Sequence, residues 1–371
     1  MTVSMSSLPT EFTVKVSEQM LRTPEPAYVY ARMLFMAVAQ AELKKDALGT
    51  FGLTPERAAS SQGAAVPDLS DTQLMIADGI RSEALTVNLE LQGTGVKGNK
   101  VTISRPVFAG SGYTQAARRI NPAIDISTVP VDLTSESASI TLEPCAGPYD
   151  TANSRVAPYA IDVLASERSM HSLVGLVGLH LARDRMKYVD TVVATLFSAG
   201  STLIFPNDPN NALSTADAAF SASGDRPMDV ETLYRAEEAL TAAGIPRFAN
   251  GKYMCVLSTR QVRQLRSDPE FKALSVFDPT RNPLAESYVK TIGNVEVYVS
   301  ATNLTATNSS TITYQKGTMF GPGAVGYAPG RNIEVLKSSA DNFGLAPRVI
   351  WAGFEGFEKL DQRFICGVYS D

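Results

Sequence analysis

The sequence has little of the chemistry on which enzymes and metalloproteins depend. Its 371 residues include only two histidines, His171 and His180, and three cysteines, Cys145, Cys255 and Cys366. The cysteines form no CxxC motif and no metal-binding spacing, so we expect free, buried thiols in a reducing cytoplasm. The histidines are nine residues apart, which places them on opposite faces of a helix, where they cannot share a metal. We therefore predict no metal, no cofactor and no histidine-dependent catalytic dyad.

Segments that direct a chain to or through a membrane are also missing. Residues 1–9 contain neither the basic region nor the apolar stretch of a signal peptide. No apolar run approaches the ~20 residues that span a bilayer. The best candidate, residues 28–41, is short and contains Arg32. We therefore expect a protein with no membrane partner.

The chain has no excess of positive charge. Its 33 Lys and Arg are outnumbered by 38 Asp and Glu, for a net charge of -5, which argues against the broad basic face of a sequence-reading nucleic-acid binder. Two local basic clusters stand out, Arg118–Arg119 and the trio Arg260, Arg263 and Arg266. We interpret each as a solvated face or as one side of ion pairs between subunits, with phosphate contact as the alternative.

Two glycine-rich stretches match the dinucleotide-binding pattern without its structural context. That motif needs a strand before the glycines and a helix N-terminus after them, so that backbone amides can hold a pyrophosphate. The sequence after the first stretch alternates like a strand, and Tyr327-Ala-Pro-Gly after the second cannot start a helix cleanly. We predict loops at both places, which are Gly93/Gly95/Gly98 and Gly321/Gly323/Gly326.

Candidates for other catalytic chemistry are few. Ser111 lies in Gly110-Ser-Gly and lacks the surroundings of a nucleophile elbow. Glu355 and Glu358 are the candidates for a paired-carboxylate site, but the sequence favours positions on a sheet edge for both. We therefore predict no catalytic, cofactor-binding or metal-binding residue.

The first part of the chain is predicted to be extended. Residues 1–75 are interpreted as an arm, with an ordinary N-terminal subdomain as the alternative, and a helix is predicted from about Ala27 to Leu48. Alternating apolar residues then predict strands near 87–91 and 101–103, joined by a glycine-rich hairpin loop. Much of residues 85–143 has too few large apolar residues for its own core, which suits a β-arm lying on a neighbouring subunit.

The longest predicted element is a helix over residues 167–199. Ser166 is a plausible N-cap and Gly200 a plausible C-cap, and apolar residues recur at spacings of three and four along one face. Four charged residues form a belt partway along: Arg183, Asp184, Arg185 and Lys187. At 1.5 Å per residue this helix would be roughly 50 Å long, far longer than an average globular helix.

Residues 228–340 are predicted to form a compact α/β lobe. Asp229 and Ser258 are predicted to cap two helices, Tyr253-Met-Cys-Val-Leu a buried strand, and Val295, Val297 and Val299 one face of another. The last two strand-like runs, 349–354 and 364–368, are predicted to pair with each other.

The order of these pieces resembles that of the tailed-phage major capsid proteins of the Hong Kong 97 type. The resemblance covers nearly the whole chain and rests on the long helix and on the segments that follow it: Thr232-Leu-Tyr-Arg-Ala-Glu-Glu-Ala-Leu, Gly244-Ile-Pro, Val256-Leu-Ser-Thr-Arg, Ser267-Asp-Pro-Glu-Phe, Ile292-Gly-Asn-Val-Glu-Val-Tyr-Val-Ser, Asn332-Ile-Glu-Val and Asp341-Asn-Phe-Gly-Leu. It implies an α+β fold with an N-terminal arm (1–75), a P-domain (76–87 and 143–227, with the spine helix 167–199), an extended β-hairpin E-loop (88–142), an α/β A-domain (228–340) and P-domain return strands (341–371).

The function implied by the resemblance is structural. Such a protein is not an enzyme; copies of it form the pentamers and hexamers of an icosahedral shell around double-stranded DNA, which they contact non-specifically. The expected partners are a separate scaffolding protein, a portal and a possible decoration protein. The expected location is the virion capsid, after assembly in the cytoplasm of the bacterial host. The alternatives are an encapsulin-type bacterial shell, which shares the fold, and a soluble α/β enzyme that uses carboxylates.

Some capsid proteins of this type crosslink themselves through an E-loop lysine and a P-domain asparagine. Lys97 and Lys100 are available to supply the amine, but residues 346–371 contain no asparagine. We therefore predict no crosslinking of that kind. The chain also has no long charged helical run ahead of residue 75, so we expect assembly to rely on a separate scaffolding protein.

Overall fold

The structure, a computed structural model, describes residues 28–34, 37–38, 84–87, 100–106, 135–150, 155–160, 173–198, 200, 202–206, 226–276, 288–302, 304–307, 313–338 and 348–371. Its helices are α1 Leu173–Phe197, α2 Val230–Ala242, α3 Thr259–Ser267 and α4 Pro269–Val276. Residues 29–34 and 37–38 are also helical and are called the N-terminal helical segment below. No helix within these ranges is both long enough and apolar enough to cross a membrane.

The strands fall before, between and after the helices. They are β1 Leu85–Val87, β2 Lys100–Pro106, β3 Ser135–Thr141, β4 Glu143–Gly147, β5 Tyr149–Asp150, β6 Arg155–Val156, β7 Tyr159–Ala160, β8 Thr202–Ile204, β9 Tyr253–Ser258, β10 Tyr288–Ile292, β11 Val295–Ser300, β12 Thr305–Thr307, β13 Thr313–Phe320, β14 Val325–Lys337, β15 Arg348–Lys359 and β16 Ile365–Ser370.

The first large sheet is five-stranded and is built on the long antiparallel pair β14 and β15. β1 adds in parallel to β14, while β4 and β7 add to β15. The ladder shifts register next to Pro329, a place where a residue without a backbone N–H is tolerated in a sheet. The β2–β3 ladder packs on one face of this sheet, through an apolar cluster of Val101, Ile140, Leu142 and Ala328.

The second large sheet is seven-stranded, in the order β10-β11-β9-β13-β16-β8, with β12 on β13. Alternate residues face opposite sides of a strand, and the two sides of this sheet meet different partners. Phe320 faces α1, with its ring 4.2 Å from that of Phe197 between centroids. Gly317, of opposite parity, lies against Gln261 of α3. The sheet is therefore covered by α2 and α3 on one face and by the end of α1 on the other.

Helix α1 connects the two sheets. Leu181 packs with Val349 and Trp351 of the first sheet. Val189, Val193 and Phe197 belong to the main core with the second sheet. The described helix begins at Leu173, so its predicted start at residue 167 lies outside the described residues, and it ends at Phe197, two residues before the predicted end.

Gly200 follows the helix for a reason other than the one predicted. It is not among the glycines with positive φ in the described residues, which are Gly244, Gly251, Gly293 and Gly323. A Cβ at residue 200 would lie 2.5 Å from the backbone oxygen of Ile365. Close approach to β16, and not a left-handed C-cap, therefore requires glycine here.

The predicted lobe is confirmed in its local elements. Asp229 caps α2 by accepting from the backbone N–H of Thr232. Ser258 and Gln261 form a reciprocal capping box at the start of α3. β9 is buried along its length. β11 departs from the predicted alternation, because Glu296 is also buried, with Asn250 and Lys252 as polar partners.

One predicted strand pairing is wrong, and another lies largely outside the described residues. The runs near 349–354 and 364–368 do not pair with each other: β15 lies in the first sheet, whereas β16 lies between β13 and β8 in the second. Residues 85–87 pair in parallel with β14, and β2 pairs with β3. The rest of the predicted first hairpin strand lies outside the described residues.

Candidate functional site

The most prominent polar site joins the middle of α1 to the first sheet. Arg185 of α1 and Glu355 of β15 form a two-pronged ion pair, with Nη1 to Oε1 at 2.6 Å and Nη2 to Oε2 at 2.5 Å. Only 1% of the Arg185 side chain and 2% of the Glu355 side chain are exposed. Either charge would be costly to bury without the other, because neither is solvated by water.

Further side chains complete the shell of this ion pair. The hydroxyl of Tyr327 donates to Glu355 Oε2 at 3.1 Å, and the thiol of Cys145 donates to Oε1 at 3.3 Å. The guanidinium carbon of Arg185 lies 5.1 Å from the ring centroid of Trp351, in the range of cation–π attraction. We call this set the helix–sheet junction. It saturates the carboxylate of Glu355, whereas Nε of Arg185 is buried without a hydrogen-bond partner.

Three side chains of the helix–sheet junction keep their proton at neutral pH. Burial raises the pKa of the Cys145 thiol to about 12, reinforced by repulsion from Glu355, and burial raises the pKa of Tyr327 well above its ordinary value. Burial opposes the charge on Arg185, but the attraction and the hydrogen bonds of Glu355, with smaller effects of Tyr327 and Cys145, together raise the pKa of Arg185. None of these three groups exchanges a proton near neutral pH, which acid–base catalysis would require. The arrangement suits a structural connection.

The predicted position of Glu355 and Glu358 on a sheet edge is wrong for Glu355. β15 has neighbours on both sides, β14 and β4, and Glu355 pairs in register with Pro329 and Glu143. Three residues separate Glu355 from Glu358, so along a regular strand they face opposite sides of the sheet. These two residues do not form a paired-carboxylate site.

The charged belt on α1 has an exposed part and a buried part. Arg183 and Lys187 are exposed, and Asp184 accepts from the indole N–H of Trp351 at 2.7 Å. Arg185 instead faces the sheet. Its spacing of four from Leu181 and from Val189 placed it on the buried stripe, and that spacing is the signal by which the sequence could have identified it.

A second buried carboxylate, Asp190, connects three segments. Its Oδ1 accepts from the backbone N–H groups of Tyr30 at 2.9 Å and Ala31 at 3.1 Å, and the hydroxyl of Thr302 donates to Oδ2. The first N–H groups of a helix have no partner within it, so Asp190 acts as the N-cap of the N-terminal helical segment. Burial raises the pKa of Asp190 to about 6, against the opposing effect of these hydrogen bonds. No local pattern in the sequence indicates this role.

The remaining candidate residues do not converge on one place. Cys255 and Cys366 are buried free thiols on either side of Met319, and Cys145 is a half-buried one. Residues 321–324 form a turn that leads into β14, so the predicted loop is confirmed at Gly321 and Gly323, whereas Gly326 lies in the strand. His180 is exposed on α1. In the described part of the chain, no group of three or more His, Cys, Asp or Glu residues can hold a metal ion. The other candidates lie outside the described residues: Gly93, Gly95, Gly98, Ser111, Arg118, Arg119 and His171.

Comparisons with known proteins assign the fold. No protein-family model and no curated protein matches the sequence. The structure is similar to that of the capsid of Ralstonia phage GP4, with 15% identity, a TM-score of 0.52, and coverage of 77% of this chain and 87% of that one. It is also similar to the capsid of Cyanophage P-SCSP1u, with 13% identity, a TM-score of 0.53, and coverage of 78% and 86%. The chain therefore has a mixed helix and strand fold, and that fold is the Hong Kong 97-type capsid fold predicted from the sequence.

Proposed function

We propose that this chain is the major capsid protein of a tailed bacteriophage. Its copies form the pentamers and hexamers of an icosahedral shell that encloses double-stranded DNA. The observation that carries the proposal is the match to phage capsid structures over more than three quarters of this chain. The role is structural and not enzymatic, in keeping with a helix–sheet junction whose thiol and phenol stay protonated at neutral pH.

The β2–β3 ladder supports assembly with other copies. Apart from Val101, Ile103 and Ile140, its side chains are small, polar or charged, and Val101 and Ile140 are already used against the first sheet. A two-stranded ribbon of this composition has little stability of its own in water. Contact with a neighbouring subunit would supply the missing burial, which is the role we propose for the E-loop at residues 88–142.

The domain assignment follows the same proposal. Residues 1–75 would be the arm, residues 228–340 the A-domain, and the remaining segments outside the E-loop the P-domain: 76–87, 143–227 and 341–371. The proposed partners are further copies of the chain, a separate scaffolding protein, a portal and a decoration protein, with non-specific contact to packaged DNA. Assembly would take place in the cytoplasm of the bacterial host.

Electron microscopy of the purified protein tests the proposal. We expect closed shells or rings of five and six subunits, either from the protein alone or after addition of the scaffolding protein encoded beside it. A uniform monomer or dimer under both conditions would contradict the proposal. The contents of the particles separate two kinds of shell: nuclease-protected double-stranded DNA supports a phage capsid, and a protein cargo supports an encapsulin-type shell.

A further inference from the structure

An uninterrupted row of arginines lies on the outer face of α3. Arg260, Arg263 and Arg266 are three residues apart and all exposed, whereas Val262 and Leu265 on the inner face are buried. None of the three arginines has a carboxylate partner in the described part of the chain. Folded surfaces usually mix the two signs of charge, so a row of one sign suits a partner surface of opposite charge.

The same face of the second sheet carries an acidic depression on α2. It has a volume of about 460 Å³ and is lined by Tyr234, Glu237, Glu238, Thr241, Ala242 and Arg247. Glu231 and Glu270 do not line the depression, but both act on Tyr234 electrostatically, as Glu237 does, and with Glu238 they form its acidic rim. Glu237 is used within the chain, by Arg247 and Asn294. Glu238 and Glu270 are exposed, and the Glu231 side chain is 61% exposed with one long contact to Arg235.

We propose that the arginine row of α3 docks into the acidic depression of α2 in a second copy of this chain. Guanidinium groups bind carboxylates through paired hydrogen bonds and stack on aromatic rings, and the depression offers both beside Tyr234. The two surfaces have similar lengths. Arg260 and Arg266 are about 9 Å apart along the axis of α3, and Glu231 and Glu238 are about 10.5 Å apart along the axis of α2. Two copies with a net charge of -5 each repel unless opposite charges meet at the contact.

The contact joins two different surfaces, so it is head-to-tail when each copy gives its row to one neighbour and its depression to another. Two copies that exchanged both contacts with each other would form a dimer and no ring. Within one molecule the row and the depression are held side by side, since Asp268 at the end of α3 accepts from the backbone N–H of Val230 at 2.8 Å. Repeating a head-to-tail contact generates a closed ring when the rotation closes. The inference rests on the proposed function, which supplies rings of five and six subunits, and it identifies one contact that closes them.

Charge reversal tests the contact. One variant carries Arg260→Glu, Arg263→Glu and Arg266→Glu, and the other Glu231→Arg, Glu238→Arg and Glu270→Arg. Each alone should lower the yield of rings by about tenfold or more, because like charges then meet. The variant with all six substitutions should recover wild-type yield. Native mass spectrometry measures the rings, and circular dichroism with thermal melting controls for folding at these six exposed positions.

Mixing the two triple variants gives a sharper test. Each variant repels itself and attracts the other, so the mixture should form alternating rings, which close with six subunits and not with five. The variant with Arg260→Gln, Arg263→Gln and Arg266→Gln removes charge without reversing it and should show an intermediate yield. It takes the place of the charge-reversed arginine variant if that variant does not fold.

The outcomes separate this inference from the proposed function. Wild-type shells together with normal assembly of both reversed variants would overturn the inference and leave the capsid function intact. Normal shells that lose DNA only in the arginine-reversed variant would also overturn it, and would assign the row to phosphate. If the wild-type protein forms no rings or shells, the proposed function fails and the inference fails with it.

Discussion

Arg185 and Glu355 show how the fold determines what a charged residue does. Both are almost fully buried and are bonded through two oxygens. A buried pair contributes little net stability compared with an apolar pair of the same shape, yet breaking it is costly, because the remaining charge is left uncompensated. The junction therefore fixes α1 in one position on the first sheet.

Substitution at Glu355 should show this asymmetry. We expect Glu355→Gln to lower the free energy of unfolding by about 3–5 kcal/mol, since Arg185 loses its only counter-charge among the described residues. Equilibrium denaturation of the unassembled protein measures it. The matched control is Glu358→Gln on the opposite face of the same strand, which should change stability by no more than about 0.5 kcal/mol. Equal effects of the two substitutions would contradict this role for Glu355.

Asp190 should make stability depend on pH. Its pKa is raised from 3.8 to about 6 in the folded protein, so the folded state binds a proton more readily than the unfolded state does. Between pH 6 and pH 4 its contribution to stability therefore increases as the pH falls, and ionisation above pH 6 weakens the fold. When the pH is lowered from 7.5 to 5, the unfolding free energy of the wild type should increase by about 1 kcal/mol relative to that of Asp190→Asn.

Asn is a suitable comparison because its amide oxygen still accepts from Tyr30 and Ala31. The measurement is the difference in unfolding free energy between the two proteins across this pH range, in which all other titrating groups cancel. A difference that does not change with pH would contradict the raised pKa. Asp190→Ala should be less stable than both at every pH, because it leaves two buried N–H groups without an acceptor.

Among the elements, α3 contacts the backbone of the second sheet directly. The side chain of Gln261 donates to the backbone oxygen of Val368 at 2.9 Å, and Gly317 leaves room for it. A Cβ on Gly317 would lie 2.6 Å from Leu257 Cδ2 and 2.7 Å from Gln261 Oε1. This close packing connects α3 directly to the second sheet and holds the arginine row at a fixed distance from that sheet.

Gly317→Ala should push α3 away from β13. Overpacking of this size costs about 1–3 kcal/mol, measured as a lower urea midpoint with an unchanged slope. Gly353→Ala is the control, because the nearest atom to its new Cβ would be Ile333 Cγ1 at 3.2 Å, a milder contact. A Gly317 variant as stable as the Gly353 variant would show that the helix can shift without loss.

Local elements of the lobe were predictable because their signals are local. Asp229 and Ser258 have polar oxygens at the position where a helix start needs an acceptor, and β9 is a short apolar run between polar segments. Strand partners were not predictable in this way. β15 and β16 are adjacent in the chain, but each is surrounded by different apolar neighbours, and burial of those neighbours in two separate sheets outweighed the short connection.

For the whole molecule, we predict particles without covalent crosslinks. In some shells of this fold a lysine and an asparagine join, and residues 346–371 contain no asparagine to react. Denaturing electrophoresis of mature particles under reducing conditions should therefore show monomers only. A ladder of covalent oligomers that survives the reductant, and so is not caused by the three cysteines, would contradict this prediction.

The sequence by itself determined the order of elements, the long helix, and the caps of α2 and α3, because these depend on residue type and on spacing within a few turns. Only the tertiary structure decided which partners Arg185 and Asp190 have in the core and that β16 joins the second sheet. Those partners, Glu355, Tyr30 and Ala31, are 159 to 170 residues away along the chain. Whether a charge can be buried depends on that distant partner, which no local pattern reveals.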